Sequence, residues 1–443
     1  MFSPKRSSNS CFGKSSIRIN HMAKIYGHAS LEVRIRGRRV KQCRLHIEES
    51  SRFFERMMKG KRFEEARRLA PRICGICAAS HNITALMAVE DALGIKLSRH
   101  ASRVREALIL GGFIQSHALH GYFLALPDYM GYSGILDMAD KYPEHVDRAF
   151  RLKRLGNSVI EVLGGRATHP VTTSVGHFTN IPEEEQLDQL LRELEEGLND
   201  AKATVRLFSS FKVPVFGREK NLGSLVDGKS YAILTGKPVI GNDKQIEPNE
   251  FMRRVKLEHR SYSTSKFVKS GGKEFMVGPL ARMNANHRLL SEEARSSLKR
   301  SGLKLPDYNP FNANIARAVE IVHCVETCID VIREIQKKAP KTQPEPYRFR
   351  KLGKVHIGCA ITEAPRGMLY HEYTLGRDGF IKDSQILTPT AQNLMPIESD
   401  VKALLPSIIG EPKKSIISDV EKLIRSYDPC ISCATHFLDV KFI

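Results

Sequence analysis

Two short stretches at opposite ends of a 443-residue chain hold the residues best equipped for chemistry. Near the end, Asp428-Pro429-Cys430-Ile431-Ser432-Cys433-Ala434-Thr435-His436 brings two thiols and an imidazole into one short run. That is a soft ligand set, and Pro429 stiffens the backbone just ahead of the first thiol. Toward the start, Arg72-Ile73-Cys74-Gly75-Ile76-Cys77 is a second C-x-x-C turn, followed by His81. Gly75 lets the chain fold tightly enough for both sulfurs to reach one ion. Together the pairs supply four thiolates, which select soft, polarizable metals over hard cations.

Blander readings of the same cysteines fit less well. A zinc ribbon also uses C-x-x-C twice, but its pairs lie about 15–20 residues apart, whereas about 350 residues separate Cys77 from Cys430. A thioredoxin-like motif needs a strand leading into the first pair. The run ahead of Cys74, Glu64-Glu65-Ala66-Arg67-Arg68-Leu69-Ala70, reads as helix instead.

At these residues the chain resembles a known family, the large (catalytic) subunit of nickel–iron hydrogenases. The resemblance rests on R-I-C-G-I-C with its following His and on D-P-C-x-x-C-x-x-H near the end, and it extends over nearly the whole chain. It implies a nickel held by all four sulfurs, with Cys74 and Cys430 terminal and Cys77 and Cys433 bridging to an iron that carries carbon monoxide and cyanide. Cys430 is then the first proton acceptor. Glu363-Ala364-Pro365-Arg366-Gly367 matches the family's E-A-P-R-G. By that match Pro365 and Arg366 lie beside the diatomic ligands, where a fixed guanidinium offers donors and an electrostatic clamp. The same resemblance gives Thr390 a hydroxyl contact to cyanide, places His81 near Cys77, and pairs Asp428 with Arg366. It also implies a second metal, magnesium or iron, held by Glu55, the carbonyl of Ile386 and His436; oxygen and imidazole suit such an ion. The resemblance further implies that residues 437–443 are a maturation peptide removed by a dedicated endopeptidase, the alternative being a plain C-terminal strand.

The chain departs from the family at two places. Many members carry R-x-E-G-H near the start, whose Glu relays protons; here Lys24-Ile25-Tyr26-Gly27-His28 stands there. A phenol of pKa ≈ 10 is a poorer relay at neutral pH than a carboxylate. Ser116 stands where respiratory members often have Asp, and Gln115-Ser116-His117 is closer to the cytosolic, multi-subunit group. That group passes electrons to a nicotinamide, a deazaflavin or a heterodisulfide reductase. No G-x-G-x-x-G is present for a dinucleotide, and the other cysteines lack ferredoxin spacing. An iron–sulfur small subunit, and further electron-transfer subunits, are therefore expected as partners. The rival from another class is a non-catalytic structural subunit like the respiratory-complex relatives of this family, which lack the four cysteines.

Composition bounds the rest. A content of 27% charged and 41% hydrophobic residues suits a globular protein, and no apolar run reaches the ~18–20 residues of a membrane helix. The net charge of +20 is dispersed rather than gathered into an aromatic-studded stripe, so a basic surface for solubility or an acidic protein partner is expected rather than nucleic acid. Nine cysteines, odd in number and unevenly spaced, point to a reducing, cytoplasmic setting. Cys324 and Cys328, at i and i+4 of an expected helix, read as core packing.

The elements that must position these groups follow from periodicity. The expectation is a mainly α protein with α+β parts: a central bundle of long helices and small mixed β subdomains. Residues 1–20 are expected to be a disordered basic, Ser-rich tail, followed by a single hydrogenase-like domain over 21–436. Alternation predicts a hairpin from Ser30 to Ile47. Helices are predicted over Asn82–Leu93, from Ser98 to about Leu126 with Pro127 as the stop, over His145–Leu163, and from Pro182 to about Phe211. A mixed insert with β-like runs such as Tyr231-Ala232-Ile233-Leu234 is expected over about 213–283. Then come a helix over Asn312–Lys338, strands near Lys354–Ile361 and Gly379–Leu387, and helices near Ala391–Leu405 and Lys413–Arg425.

Overall fold

Long apolar stripes at helical spacing need partners, and in the computed structural model they find one another. It describes residues 14–37, 39–180, 182–337, 347, 349 and 352–435. The bundle is built from α1 (Ala78–Leu93), α2 (Arg99–Ala118), α3 (Pro143–Gly164), α4 (Glu184–Ser210) and, beyond the insert and its helix α5 (Pro279–Asn286), α6 (Ala313–Lys337). Helix α6 lies against both α2 and α4, and α2 against α3. The α2–α3 crossing is close because Gly111 and Gly156 face each other; a Cβ on Gly156 would stand 2.4 Å from the backbone nitrogen of Gln115. Cys324 and Cys328 on α6 are buried in this core.

Ser98 caps α2 as its sequence predicts, its hydroxyl accepting from Ala101 N–H at 3.1 Å. Pro127 does not stop the helix. The chain widens into a π-helical stretch over Leu119–Ala125 and resumes α-helix over Leu126–Met130. A wider turn shifts the hydrogen-bond register, so the missing proline N–H and the bulk of its ring fall where no α-helical bond is broken. Helix α4 opens on a capping box between Glu183 and Gln186.

Around the bundle sit small sheets. Strands β1 (Lys14–Ile19), β2 (Ala29–Arg36) and β3 (Arg39–Ile47) form an antiparallel sheet in that order. Its inward Ile17, Leu31, Val33 and Leu45 are buried. Of the tail expected over 1–20, residues 1–13 lie outside the described residues and Lys14–Ile19 are strand instead: Ile17 and Ile19 alternate with polar residues and add to the hairpin edge, a pattern hidden by the Ser- and Arg-rich composition. In the insert, β4 (Asn221–Val226) pairs with β5 (Lys237–Ile240), β6 (Val255–Glu258) with β7 (Phe267–Ser270), and β8 (Phe275–Val277) with β4. The run Tyr231–Leu234 is not a strand. It is a buried loop whose Ile233 carbonyl accepts from Glu363 N–H at 2.8 Å, so its backbone is satisfied without a ladder.

The last sheet is antiparallel β9 (His356–Ala364), β10 (Gly367–Leu375) and β11 (Ile381–Leu387), of which the middle strand was not foreseen. It packs on α1. Helices α7 (Pro389–Ile408) and α8 (Lys413–Ser426) lead to the final cysteine pair. No helix among the described residues is long and apolar enough to cross a membrane. His436 and residues 437–443, with the expected ligand and peptide they carry, lie outside the described residues.

Candidate metal centre

Each cysteine pair is presented by a helix end. Cys77 stands at the N-cap of α1, and its backbone N–H points at Cys74 Sγ 3.4 Å away. Gln115 of α2 holds this loop through the Ile76 carbonyl at 2.8 Å. After α8, Asp428 turns the chain with φ 54°, and Cys430 precedes a short helix over Ile431–Ala434. Arg52 joins the two halves: its guanidinium donates to the Ile73 carbonyl at 2.6 Å and the Ser432 carbonyl at 3.5 Å, and its backbone N–H to the Thr435 carbonyl at 2.7 Å.

The four sulfurs meet. Cys74 and Cys430 Sγ are 3.7 Å apart, Cys77 and Cys433 3.5 Å, and Cys430 and Cys433 2.7 Å. All four are buried and free of disulfides. Hydrogen bonds from Cys430, then Cys433 and Cys77, hold the Cys74 thiol well below its ordinary range, whereas burial, then Cys430, pushes Cys433 well above it. Four sulfurs side by side in a dry site fit a soft metal pair, whose charge would hold them as thiolates.

Over the cluster lies Arg366. It occupies the two-residue Pro365–Arg366 turn between β9 and β10, where Ala364 pairs with Gly367. Gly367 has φ 130°, and a Cβ there would meet Val277 at 2.5 Å, so only glycine lets the turn settle onto the backbone near Gly278. The guanidinium is anchored on Asp428, Nε to its carbonyl at 2.8 Å and Nη2 to its carboxylate at 3.0 Å, and Nη1 lies 3.4 Å from Ser116 Oγ. Burial would raise the Asp428 carboxyl, but Arg366 and His120 outweigh it and hold the group well below the usual range. The ion pair expected from the resemblance is thus present.

The remaining expected residues fall around this centre. Thr390, in the first turn of α7, accepts from Cys430 N–H at 3.0 Å. His81 Nδ1 lies 3.0 Å from His371 Nε2, and His81 comes together with Cys77 and Cys433. Glu55 Oε1 accepts from Ile386 N–H at 2.7 Å, so two of the three residues expected at the second metal are neighbours. Tyr26 reaches the cluster too: its ring lies 4.7 Å from the Arg366 carbon. Burial, then Asp428, pushes its phenol well above the ordinary value.

Sequence reasoning missed the groups that hold Arg366 from behind. Arg282 on α5 donates to the Ala364 and Pro365 carbonyls at 3.0 and 2.9 Å, and it bridges Glu320 at 2.7 Å and Glu363 at 2.9 Å. Glu320 also accepts from the Tyr231 hydroxyl at 2.6 Å and from His117 at 2.8 Å. Burial pushes Glu363 up to about 7 against the pull of Arg282. A signal existed: Glu320 stands within the apolar run Ala318-Val319-Glu320-Ile321-Val322, where a charge implies a buried partner.

Comparison with known proteins agrees with this geometry. A family model described as nickel-dependent hydrogenase matches residues 52–150 and 230–436. The chain is 35% identical over 426 residues to sulfhydrogenase 1 subunit alpha of Pyrococcus furiosus, covering 95% of this chain and 97% of that one. It is 29% identical to sulfhydrogenase 2 subunit alpha of the same organism, over 95% of this chain and 99% of that one. Among solved structures, an NAD+-reducing [NiFe]-hydrogenase in the H2-reduced state shares the fold, with a TM-score of 0.85 at 24% identity over 95% of this chain and 99% of that one.

Proposed function

Since the chain belongs to the nickel-dependent hydrogenase family, as a catalytic large subunit that oxidises dihydrogen at a nickel–iron centre, we propose how its own residues carry the reaction. Cys74, Cys77, Cys430 and Cys433 would hold the nickel and the iron between them, and the iron would bear carbon monoxide and cyanide. The observation that carries this is the meeting of four buried, unoxidised sulfurs from the two ends of the chain beneath one guanidinium. The metal pair supplies the Lewis acidity and the electron sink for heterolytic cleavage. Everything else is the work of side chains.

Cys430 accepts the first proton. Asp428 and Ser116 fix the guanidinium of Arg366, which leaves N–H groups for the diatomic ligands and for charge developing on the reacting hydrogen. Thr390 keeps Cys430 in place through its backbone, and its hydroxyl would offer its hydrogen to a cyanide. His81 steadies the bridging sulfurs, and Glu55 with the Ile386 carbonyl and His436 holds the second metal. Each dihydrogen yields two protons and two electrons, and the electrons leave through an iron–sulfur small subunit to a soluble acceptor.

An infrared spectrum of the anaerobically purified complex tests the reading. Iron-bound carbon monoxide and cyanide stretches are expected. Their absence from a fully metal-loaded sample overturns it.

A further inference from the structure

We propose that Tyr26 is a positioning residue whose aromatic face, not its hydroxyl, seats the Arg366 guanidinium over the sulfur cluster. The Arg366 carbon stands 4.7 Å from the ring centroid, within the range in which an aromatic face attracts a cation. The hydroxyl is buried and meets no hydrogen-bond partner among the described residues, whereas the ring face meets the guanidinium. At this position the phenol offers a surface.

The segment carrying the ring is fixed as a platform must be. Tyr26 forms a parallel bridge with Cys430: its N–H faces the Pro429 carbonyl at 3.4 Å, and its carbonyl accepts from Ile431 N–H at 2.7 Å. Upstream, Lys24 pairs with Asp128, Arg425 pairs with the same Asp128, and Arg425 also donates to the Ala23 carbonyl at 2.8 Å. Downstream, Gly27 has φ 96°, and a Cβ there would strike Glu49 at 2.2 Å and Ile431 at 2.9 Å. The backbone at 23–27 therefore cannot drift without disturbing the Cys430 segment.

The division of labour around Arg366 is then complete. Asp428 and Ser116 take three N–H groups in the guanidinium plane, and Tyr26 supports a face. A carboxylate at position 26 would compete with Asp428 for the same donors. A phenyl ring holds the cation and leaves the remaining N–H groups free for the centre.

The inference rests on the nickel–iron reading for its spectroscopic arm and on coordinates alone for its other arm. Crystal structures and infrared spectra of the purified complex are compared for the native protein, Tyr26→Phe and Tyr26→Met, the last filling the space without an aromatic face. Tyr26→Phe is expected to leave the guanidinium in place, the cyanide bands unmoved and hydrogen–deuterium exchange within about twofold. Tyr26→Met is expected to displace the guanidinium, shift the cyanide bands and lower exchange by about 3- to 30-fold, the loss of one desolvated cation–aromatic contact. If Phe is as damaging as Met, or if neither moves the guanidinium, the proposal falls. Should the native complex show no carbon monoxide or cyanide bands, the metal reading fails while the guanidinium position still decides the role of the ring.

Discussion

Two buried ionisable clusters lie on opposite sides of the Pro365–Arg366 turn, and they are neutralised in different ways. Behind the turn, Arg282 sits between Glu320 and Glu363, with His117 and Tyr231 completing the hydrogen bonds. The chain supplies both signs of charge there. In front of it, the Arg366 guanidinium is already engaged by Asp428 and that of Arg52 by the Ile73 and Ser432 carbonyls, and four thiols remain. The contrast separates scaffolding from chemistry: a cluster that carries its own counter-charge holds shape, whereas one of four gathered sulfurs is built to receive a cation.

Removing a sulfur should break the comparison most severely. Cys430→Ser is expected to lower hydrogen–deuterium exchange by about a thousandfold or more, because a hard hydroxyl replaces the soft ligand and proton acceptor. Exchange near native levels would remove Cys430 from that role. The rear cluster should fail through stability instead. Arg282→Met leaves Glu320 and Glu363 buried without their cation and is expected to cost about 3–5 kcal/mol in denaturant unfolding. Adding Glu320→Gln should recover part of the loss, and no recovery would mean that the network is not a single unit.

A smaller effect sharpens the rear cluster's protonation. Burial lowers His117 to about 4 despite Glu320, so the imidazole is neutral at pH 7 and donates to that carboxylate. With a folded pKa below the unfolded value of about 6.5, the unfolded chain binds the extra proton, and stability is lost as pH falls from about 6.5 through 4. His117→Gln should flatten that window by up to about 1.4 kcal/mol per pH unit; an unchanged slope in urea titrations would show that His117 carries no such proton. The smallest change is at the front. Thr390→Val leaves Cys430 N–H without its acceptor and should cost about 1 kcal/mol while shifting the cyanide bands; unmoved bands would place the hydroxyl away from the iron.

Much of the centre was legible in the sequence because metal ligation is written in residue type and short spacing. Cys74, Cys77, Cys430 and Cys433, the Arg366 turn and its ion pair with Asp428 fall where the motifs placed them. The long helices were legible for a related reason, since apolar periodicity and caps such as Ser98 act over a few residues. Strand β10 was overlooked because Gly367–Leu375 is buried almost throughout and lacks the alternation of a half-exposed strand.

The amino-acid sequence thus determined the ligand set, the helical periods and the turn that carries Arg366, all properties of neighbours along the chain. Only the tertiary structure decided which distant groups answer them. Arg52 ties the two cysteine segments, Arg282 holds the turn from behind, the π-helical stretch carries α2 past Pro127, and Tyr26 faces Arg366. The partner of a buried charge is chosen by packing between segments tens to hundreds of residues apart, and no local spacing encodes that choice.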